Sequence, residues 1–389
     1  MAITLLINPG SSSKKFAFVQ DERVVLVLRF ERNGEGVELC TEQNSEQQKC
    51  EGIESELYGS ASAHALDIAK ARGVISSLTD ITRVGVRVVA PGTFFQKHQI
   101  IDHTFIANLV AKTDSAPLHI PVTLHEIQQI QTLLPKALVL AISDSAFHST
   151  MPISARTYSI TREDTKNHDI YRFGYHGLSC ASVLRRSEEL PEKYQKVIIA
   201  HIGSGVSLTA VKDGKSIDTS MGFSPASGMV MGTRAGDVEA DGLLELMRVK
   251  KMNSSEALQY LQNDTGLKGL ANESDLRHLL DRQARGDFEA IEALSLFAYR
   301  FRKILGGLVG ALGGLDAVIL TATAVERNPV IRSMLLPADI GFGIHLDEKK
   351  NEKLINHDGI ISTDESKVTV ALIRTQEFEE MLHIIRDFK

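Results

Sequence analysis

A chain of 389 residues is long enough for two or three domains, and its 43% hydrophobic and 24% charged residues are ordinary for a globular protein with a sizeable core. The formal net charge of −6 excludes a general basic field for nucleic acid or an anionic membrane, so local cations must meet any anionic substrate. Cys40, Cys50 and Cys180 lack the spacing of a metal site, and their odd number favours free thiols in a reducing compartment.

The first residues and the longest uncharged stretch both argue against membrane targeting. The N-terminus has no basic region, and its first apolar run ends at Ile7, which indicates a first strand rather than a signal peptide. The stretch Ile304–Leu315 is short and rich in glycine, which favours a buried helix over a membrane span. We therefore expect a cytoplasmic protein.

Apolar periodicity predicts strands first, and then alternating helices and strands, in each half of the chain. In the first half the predicted strands are Ile3–Ile7, Phe16–Val19, Val24–Phe30, Val37–Cys40, Arg83–Val89 and Ala137–Ile142, and the predicted helices are Ser60–Ala71, Ile106–Lys112 and Pro121–Leu133. Residues 41–58 are polar and are predicted to form a surface loop. In the second half, three strands near 196–221 are followed by predicted helices at Gly242–Lys250, Ser254–Asn263, Glu273–Ala284 and Phe288–Leu312, a strand at Ala317–Ala322 and a last helix at Glu377–Phe388. This order predicts an α/β fold with two similar mixed sheets.

One pattern, an apolar strand, a tight Gly/Ser turn and a returning strand, occurs in both halves. The first copy has the turn Asn8-Pro9-Gly10-Ser11-Ser12-Ser13, followed by Lys15, and the second has His201-Ile202-Gly203-Ser204-Gly205. Such a turn directs backbone N–H groups and hydroxyls to one point, which suits a phosphate. A single copy is typical of an ordinary hairpin, but two copies favour a duplicated fold that holds a phosphoryl group or nucleotide.

Other chemically capable residues lie in or beside predicted strands and loops. Arg87 lies inside an apolar strand, where it either forms an internal ion pair or clamps a carboxylate or phosphate. Asp144 follows a strand and either faces a cleft or, with Ser145, caps a helix. His176 and Arg234 are flanked by glycine-rich segments that allow a ligand to approach the backbone. A histidine taken alone is more often structural, and His201 by itself is consistent with a core residue whose hydrogen bonds are satisfied.

Taken together, these cations, the aspartate and the two turns are typical of phosphoryl transfer. That transition state requires spread-out positive charge and in-line positioning more than a nucleophile. The sequence has no Walker motif, protein-kinase motif set or G-x-S-x-G arrangement.

At this point the chain resembles the acetate kinase family of the sugar-kinase/heat-shock-protein/actin superfamily, along nearly its whole length. The matching segments are Asn8–Lys15, Ser143–Pro152, Arg172–His176, His201–Ser207, Asp218–Asp237 and Gly313–Thr321. The resemblance implies two duplicated ribonuclease-H-like (actin-like) domains with a cleft between them. The first would comprise residues 1–150, with the helix 377–389 packing back on it, and the second, residues 151–376, would carry the nucleotide site.

The resemblance also implies reversible, direct in-line phosphoryl transfer from ATP to acetate, Mg²⁺ (or Mn²⁺), and a homodimer. Carried over by position, the catalytic residues would be Arg87, Asp144, His176 and Arg234, with Asn8 and Glu377 organising the metal. The substrate wall would be Val89, Leu118, Tyr175 and Pro225, beside Arg87. The nucleotide and its phosphates would be bound by Ser11, Ser13, Lys15, His201, Gly203, Ser204, Gly205, Gly232, Asp275, Leu276, Arg277, Thr323, Ala324 and Arg327.

The sequence departs from the family pattern mainly in the nucleotide loop. Where the family has T-A-G-I-G-E-N or T-G-G-I-G-E-N, this chain has Thr321-Ala322-Thr323-Ala324-Val325-Glu326-Arg327. Side chains at 323 and 325 are expected to reshape the adenine pocket, and Arg327 offers a further phosphate contact. Tyr175 and Ser204 replace the phenylalanine and asparagine common in the family.

Several alternatives remain open from the sequence. The phosphoryl donor is ATP, another nucleotide or pyrophosphate, and the acceptor is acetate, propionate or butyrate. A nucleotide-dependent switch of the actin or chaperone type shares the duplicated turns, but it does not need the carboxylate-binding set around Arg87 and Arg234. A pseudoenzyme that has lost its nucleotide is a third possibility, motivated by the altered 321–327 loop.

Overall fold

The computed structural model describes residues 2–10, 12–34, 36–44, 46–117 and 119–388. Ser11 and Leu118, two of the predicted site residues, lie outside the described residues. The chain divides into a first unit, Met1–Ala146 with Glu377–Lys389, and a second unit, Phe147–Gln376. The division falls between Ala146 and Phe147, whereas the sequence predicted it between residues 150 and 151.

The first unit is built on an eight-stranded mixed sheet in the order β5-β4-β3-β2-β1-β6-β8-β7. Its strands are β1 (Ile3–Asn8), β2 (Ser13–Gln20), β3 (Arg23–Asn33), β4 (Gly36–Gln43), β5 (Lys49–Ile53), β6 (Ile81–Val88), β7 (Gln99–Ile100) and β8 (Leu138–Ser143). The first five strands pair antiparallel in sequence, and β6 joins β1 in parallel, followed by β8 parallel to β6. The carboxyl ends of β1, β6 and β8 therefore meet at one edge, which is where ligands bind in sheets of this kind.

Helices cover this sheet and complete the core of the first unit. They are α1 (Ala61–Ala71), α2 (His103–Val110) and α3 (Ile120–Leu133), with short 3₁₀ turns at Ser55–Tyr58, Leu78–Asp80, Thr93–Phe95, Thr113–Ser115 and Ala146–Thr150. The C-terminal helix Glu377–Asp387 contacts β1, β6 and β8. Gly85 permits this approach, because a Cβ atom there would lie 2.5 Å from Ile385 Cδ1.

The second unit repeats the strand order of the first around a six-stranded mixed sheet, β11-β10-β9-β12-β14-β13. Its strands are β9 (Lys196–Ile202), β10 (Val206–Lys212), β11 (Lys215–Thr219), β12 (Ala317–Thr321), β13 (Gly359–Ile360) and β14 (Thr369–Leu372). Strands β9, β10 and β11 are antiparallel, and β12 and β14 extend the sheet in parallel from β9. The predicted α/β class with two similar mixed sheets is confirmed.

The helices of the second unit are numerous, and the longest packs against β9, β10 and β11. They are α4 (Ile153–Arg156), α5 (Arg162–Asn167), α6 (Gly177–Ser187), α7 (Ala240–Lys250), α8 (Ser254–Asn263), α9 (Gly266–Ala271), α10 (Leu276–Ala284), α11 (Phe288–Leu312), α12 (Thr323–Arg327), α13 (Pro329–Leu335) and α14 (Glu348–Lys353), and the helix Glu377–Asp387 of the first unit is α15. None of the helices among the described residues combines the length and apolar character that a membrane span requires.

Two expectations for residues 40–58 are wrong. The predicted loop contains the edge strand β5, whose first four residues are exposed, so it lacks the apolar alternation by which strands are recognised. Cys40 and Cys50 are not free thiols: they face each other across β4 and β5 and form a disulfide. Only Cys180, which is buried, is a free cysteine among the described residues.

Candidate active site

In the first turn, between β1 and β2, Gly10 lies close to the backbone of Ser13. Gly10 is required there, because a Cβ atom would lie 2.7 Å from the Ser13 carbonyl oxygen. The Tyr58 hydroxyl donates a hydrogen bond of 2.7 Å to the Gly10 carbonyl. The Ser13 hydroxyl oxygen is buried without a hydrogen-bond partner, and Lys15 pairs with Asn8 across the strands. The turn thus has a free hydroxyl and a lysine beside it, as a phosphate site requires.

The guanidinium of Arg87 contacts three acceptor side chains at the edge of the sheet where the carboxyl ends of β1, β6 and β8 meet. Its Nε donates to Asp144 Oδ1 at 3.0 Å, and Nη2 lies 2.9 Å from the same oxygen. Its Nη1 donates to Asn8 Oδ1 at 3.3 Å and lies 3.5 Å from Glu377 Oε2. Asn8 Nδ2 in turn donates to Glu377 Oε2 at 3.0 Å. Four predicted residues, far apart in the sequence, are therefore brought into one cluster.

The electrostatics of this cluster keep Arg87 charged. Burial alone lowers the pKa of Arg87, but the carboxylates of Asp144 and Glu377 more than offset this, so the net shift is upward. The Arg87 side chain is 15% exposed, while Asp144 is 1% exposed. The internal ion pair expected as one alternative is present. The side chain is not fully buried, and a guanidinium can also bind an anionic carboxylate or phosphate.

In the second unit, two histidines stack beside the second turn, Gly203–Gly205. The rings of His176 and His201 are 4.1 Å apart and nearly parallel. His176 Nδ1 is 3.0 Å from the Ser207 hydroxyl, and His201 Nδ1 is 2.8 Å from the Ser179 hydroxyl, so each ring is oriented by a serine. His176 itself has a left-handed backbone (φ 59°) just before α6.

The side chains of His176 and Arg234 both approach Gly205 of the second turn. A Cβ atom at Gly205 would lie 2.9 Å from His176 Nε2 and 3.6 Å from Arg234 Nη1. Arg234 donates to the Pro225 carbonyl at 2.9 Å, and no carboxylate among the described residues forms an ion pair with it. Burial lowers the pKa of Arg234. A largely buried arginine without an acidic partner is a candidate for binding an anionic ligand.

The predicted substrate wall is divided between the two units. Val89 is half-buried in the first unit, just after β6, and Pro225 is buried in the second. The Tyr175 side chain is 1% exposed, and its hydroxyl donates to the Phe223 carbonyl at 2.6 Å. The hydroxyl added by Tyr175 relative to the family's phenylalanine thus hydrogen-bonds within the protein.

The altered loop exposes some of its predicted residues and buries others. Thr323 and Arg327 are exposed and Ala324 is half-buried, while the Val325 side chain is fully buried. Val325 therefore packs into the core, and Thr323 and Arg327 are the altered residues of the loop that remain accessible.

The predicted segment Asp275–Arg277 opens helix α10. The Asp275 carboxylate caps the helix through the Arg277 N–H and also pairs with the Arg277 guanidinium. Leu276 is buried. Gly232 lies against this segment, since a Cβ atom there would be 3.1 Å from the Ser274 carbonyl oxygen. Ser204 is exposed in the second turn.

Sequence reasoning missed the residues that hold these groups in place. Tyr58 and Lys14 support the first turn, and Ser179 and Ser207 orient the histidines. No local pattern marks such residues, because their partners are distant in the sequence. The first unit offers Arg87 beside a tight turn, and the second offers Arg234 and two oriented histidines beside another tight turn. Groups of these kinds suit the transfer of a phosphoryl group between anions.

Comparison with known proteins identifies the family. The model of the acetokinase family matches residues 3–384 of this chain. The chain belongs to the acetokinase family. It is 35% identical to acetate kinase 2 of Lactococcus lactis over 385 residues, which cover 97% of both proteins.

Solved structures of this family share the fold. A crystal structure of Porphyromonas gingivalis acetate kinase superposes with a TM-score of 0.86 at 30% identity, and one of a propionate kinase from Francisella tularensis with a TM-score of 0.89 at 29% identity. Each comparison covers 98% of both chains. As a member of the acetokinase family the protein is an enzyme, a kinase with an actin-like two-domain fold.

Proposed function

We propose that the protein is an acetate kinase, which transfers the terminal phosphoryl group of ATP to acetate and gives acetyl phosphate and ADP, reversibly. The observation that carries the proposal is that two arginines lie in different electrostatic surroundings. Arg87 lies among Asp144, Asn8 and Glu377, while Arg234 has no acidic partner and lies beside His176. Two anions repel each other when they react, so such cations lower the barrier by neutralising charge.

The transfer is direct and in line, without a covalent enzyme intermediate. Arg87 grips the acetate carboxylate, and Asp144 holds the guanidinium in its orientation through two contacts to one oxygen. Arg234 and His176 stabilise the charge that spreads over the migrating phosphoryl group. The proposed contacts to the methyl group are the apolar residues that the family pattern assigns, Val89 in the first unit and Tyr175 and Pro225 in the second. Leu118, the fourth residue of this set, lies outside the described residues.

The second unit holds the nucleotide. The proposed contacts come from the second turn with His201 and Gly232, from Asp275–Arg277 and from the 321–327 loop. Ser11, Ser13 and Lys15 of the first turn support the phosphate, and the buried, unpartnered Ser13 hydroxyl favours this role.

Asn8 and Glu377 fit the metal ion that the family implies. They provide one amide oxygen and one carboxylate beside Arg87, and Mg²⁺ is usually bound through one or two carboxylates, with substrate phosphates and waters as the other ligands. When bound there, Mg²⁺ or Mn²⁺ supplies shielding of the phosphate charge.

The homodimer is supported by the apolar surface of the second unit. Helix α7 has no buried residue and exposes Leu244 and Val249, and α11 exposes Phe288 and Tyr299. Contiguous patches of exposed apolar side chains mark association surfaces, so these helices are the candidates for the dimer contact. Light scattering of the wild type and of Leu244→Asp tests the assignment: a dimer that dissociates in the variant supports it, and a wild-type monomer contradicts it.

Propionate kinase is the second candidate, because the propionate kinase from Francisella tularensis superposes as well as the acetate kinase does. One methylene in an apolar pocket changes specificity by only about 1–3 kcal/mol, so the acids must be compared directly. The deciding experiment traps acyl phosphate as the hydroxamate, with acetate, propionate and butyrate as acceptors and ATP, GTP and pyrophosphate as donors.

The highest kcat/KM with acetate and ATP is the expected result. A higher value with propionate would reassign the acceptor, and turnover with pyrophosphate alone would reassign the donor. No acyl phosphate with any pair would overturn the proposed activity. A cytoplasmic location stays a prediction.

A further inference from the structure

The 321–327 loop begins with a residue in a conformation that side chains disfavour. Ala322 follows β12 directly and has φ 75° and ψ 164°. This region of backbone space is essentially restricted to glycine, so the surroundings must hold Ala322 there. The residue is 5% exposed. A conformation of this kind persists only where specific contacts fix it.

Glu326 supplies those contacts from one turn further along the chain. Its Oε1 accepts a hydrogen bond of 2.8 Å from the Ala322 N–H and one of 3.4 Å from the Thr321 hydroxyl. The carboxylate thus closes the loop on its own first residues. Burial raises the pKa of Glu326, opposed in part by these hydrogen bonds and by Arg374.

The remainder of the loop is anchored from the opposite side. Arg332, which is fully buried, donates to the Val325 carbonyl at 2.6 Å. The Asn356 N–H donates to the Glu326 carbonyl at 2.8 Å. With these anchors in place, the carboxylate of Glu326 is the contact that determines the start of the loop.

The start of the loop lies against the second turn. Thr321 pairs with His201 between β12 and β9, and a Cβ atom at Gly203 would be 3.5 Å from the Ala322 Cβ. A shift of Ala322 would therefore displace the backbone that adjoins the proposed phosphate contacts. Glu326 Oε1 also accepts from the Thr375 N–H at 3.4 Å, two residues before Glu377 in the chain.

We propose that Glu326 is a positioning residue that holds Ala322 in its strained conformation and thereby sets the affinity for the nucleotide donor. It acts through the Ala322 N–H and does not touch the substrate. The inference rests on the proposed function and extends it, because it explains how the loop keeps its shape although Thr323 and Val325 stand where the family has glycine. The substrate carboxylate is bound elsewhere, so its affinity does not depend on Glu326.

The test compares Glu326→Ala and Glu326→Gln with the wild type. Glutamine keeps an oxygen that accepts from Ala322, whereas alanine removes it. Loss of this hydrogen bond is expected to raise the KM for ATP and the Kd for ADP about tenfold in Glu326→Ala, with the KM for acetate unchanged. Glu326→Gln is expected to stay within about twofold of the wild type in all three constants. Glu245→Ala, at an exposed carboxylate paired with Arg248, is the matched control for loss of charge and is expected to match the wild type.

Calorimetric ADP binding separates this proposal from the proposed activity. If the wild type makes no acyl phosphate, the activity fails, and the change in ADP affinity still tests the role of Glu326. Equal ADP affinity in Glu326→Ala and the wild type would overturn the inference. So would a loss of ADP affinity of about tenfold in Glu326→Gln, which keeps the accepting oxygen. This second result decides the matter even if the alanine variant does not fold.

Discussion

The ammonium group of Lys14 lies 2.6 Å from the carboxylate of Glu126 inside the first unit, where the two side chains are 3% and 0% exposed. Lys14 also donates to the Tyr58 carbonyl at 2.6 Å, and the Tyr58 hydroxyl donates to Gly10 in the first turn. A buried ion pair thus supports the residue that holds the phosphate turn. Removing one partner of such a pair leaves an uncompensated charge in the core.

Lys14→Met is expected to lower the free energy of unfolding by about 3–5 kcal/mol, because Glu126 is left buried without its cation. Chemical denaturation measures this directly. The neighbouring half-buried Lys15→Met is the matched control, with an expected loss below about 1 kcal/mol. The double variant Lys14→Met/Glu126→Gln is expected to recover part of the loss, and a double variant less stable than Lys14→Met would contradict the pairing.

The two adjacent lysines show what the sequence can and cannot predict. Strand alternation places Lys14 on the same side of β2 as buried Phe16. The sequence does not explain a lysine on this buried side, because its partner Glu126 is far away in the chain. Most of the longer strands and helices follow from periodicity and were predicted. The strands β5, β7, β13 and β14 and the helices α4, α5, α6, α9 and α12–α14 were not predicted. Most of these elements are short, and short or exposed segments give weak periodic signals.

Tyr58 is expected to make the protein sensitive to alkaline pH. Burial, the largest influence, raises the pKa of Tyr58 from 10.0 to about 12, although Arg32 lowers it in part. The phenol therefore ionises earlier in the unfolded chain than in the folded protein. Its contribution to stability is complete below pH 10 and is lost as pH rises through 12. Unfolding free energies measured between neutral pH and this window should fall less steeply in Tyr58→Phe than in the wild type, and parallel curves would exclude Tyr58 as the source.

Arg87→Ala is expected to reduce kcat/KM for acyl phosphate formation by about 10²–10³ or more, because it removes a preorganised charge from the reacting centre. The hydroxamate assay measures this loss. Arg87→Lys should remain strongly impaired, since an ammonium group cannot reproduce the contacts of Nε and Nη2 to Asp144. Turnover like that of the wild type in either variant would remove Arg87 from the site.

The surroundings of Arg87 show that the sequence could suggest candidate site residues but could not predict how they are arranged. Arg87, Asp144 and Asn8 each lie in or beside a strand end, a pattern that local sequence shows. Glu377 joins them from the last helix, and only its resemblance to a family motif marked it. The stacking of His176 on His201 had no signal at all, because it depends on how α6 packs beside β9.

Replacing Arg234 is expected to reduce activity without reducing stability. It is largely buried and its guanidinium forms no ion pair among the described residues, so the protein without substrate holds an uncompensated cation. Arg234→Met is therefore expected to leave the melting temperature unchanged or to raise it, while kcat/KM for acyl phosphate formation falls by about 10²–10³.

Arg87 provides a matched comparison for Arg234, because its guanidinium has acidic partners. Arg87→Met is expected to lower the melting temperature, because Asp144 is 1% exposed and loses its counter-ion. Thermal unfolding and the hydroxamate assay are run on both variants. Activity is expected to fall in both, whereas the melting temperature is expected to fall only in Arg87→Met. A melting temperature that falls as far in Arg234→Met as in Arg87→Met would show that Arg234 has a structural role. Loss of activity with unchanged stability would identify it as a group held for the substrate.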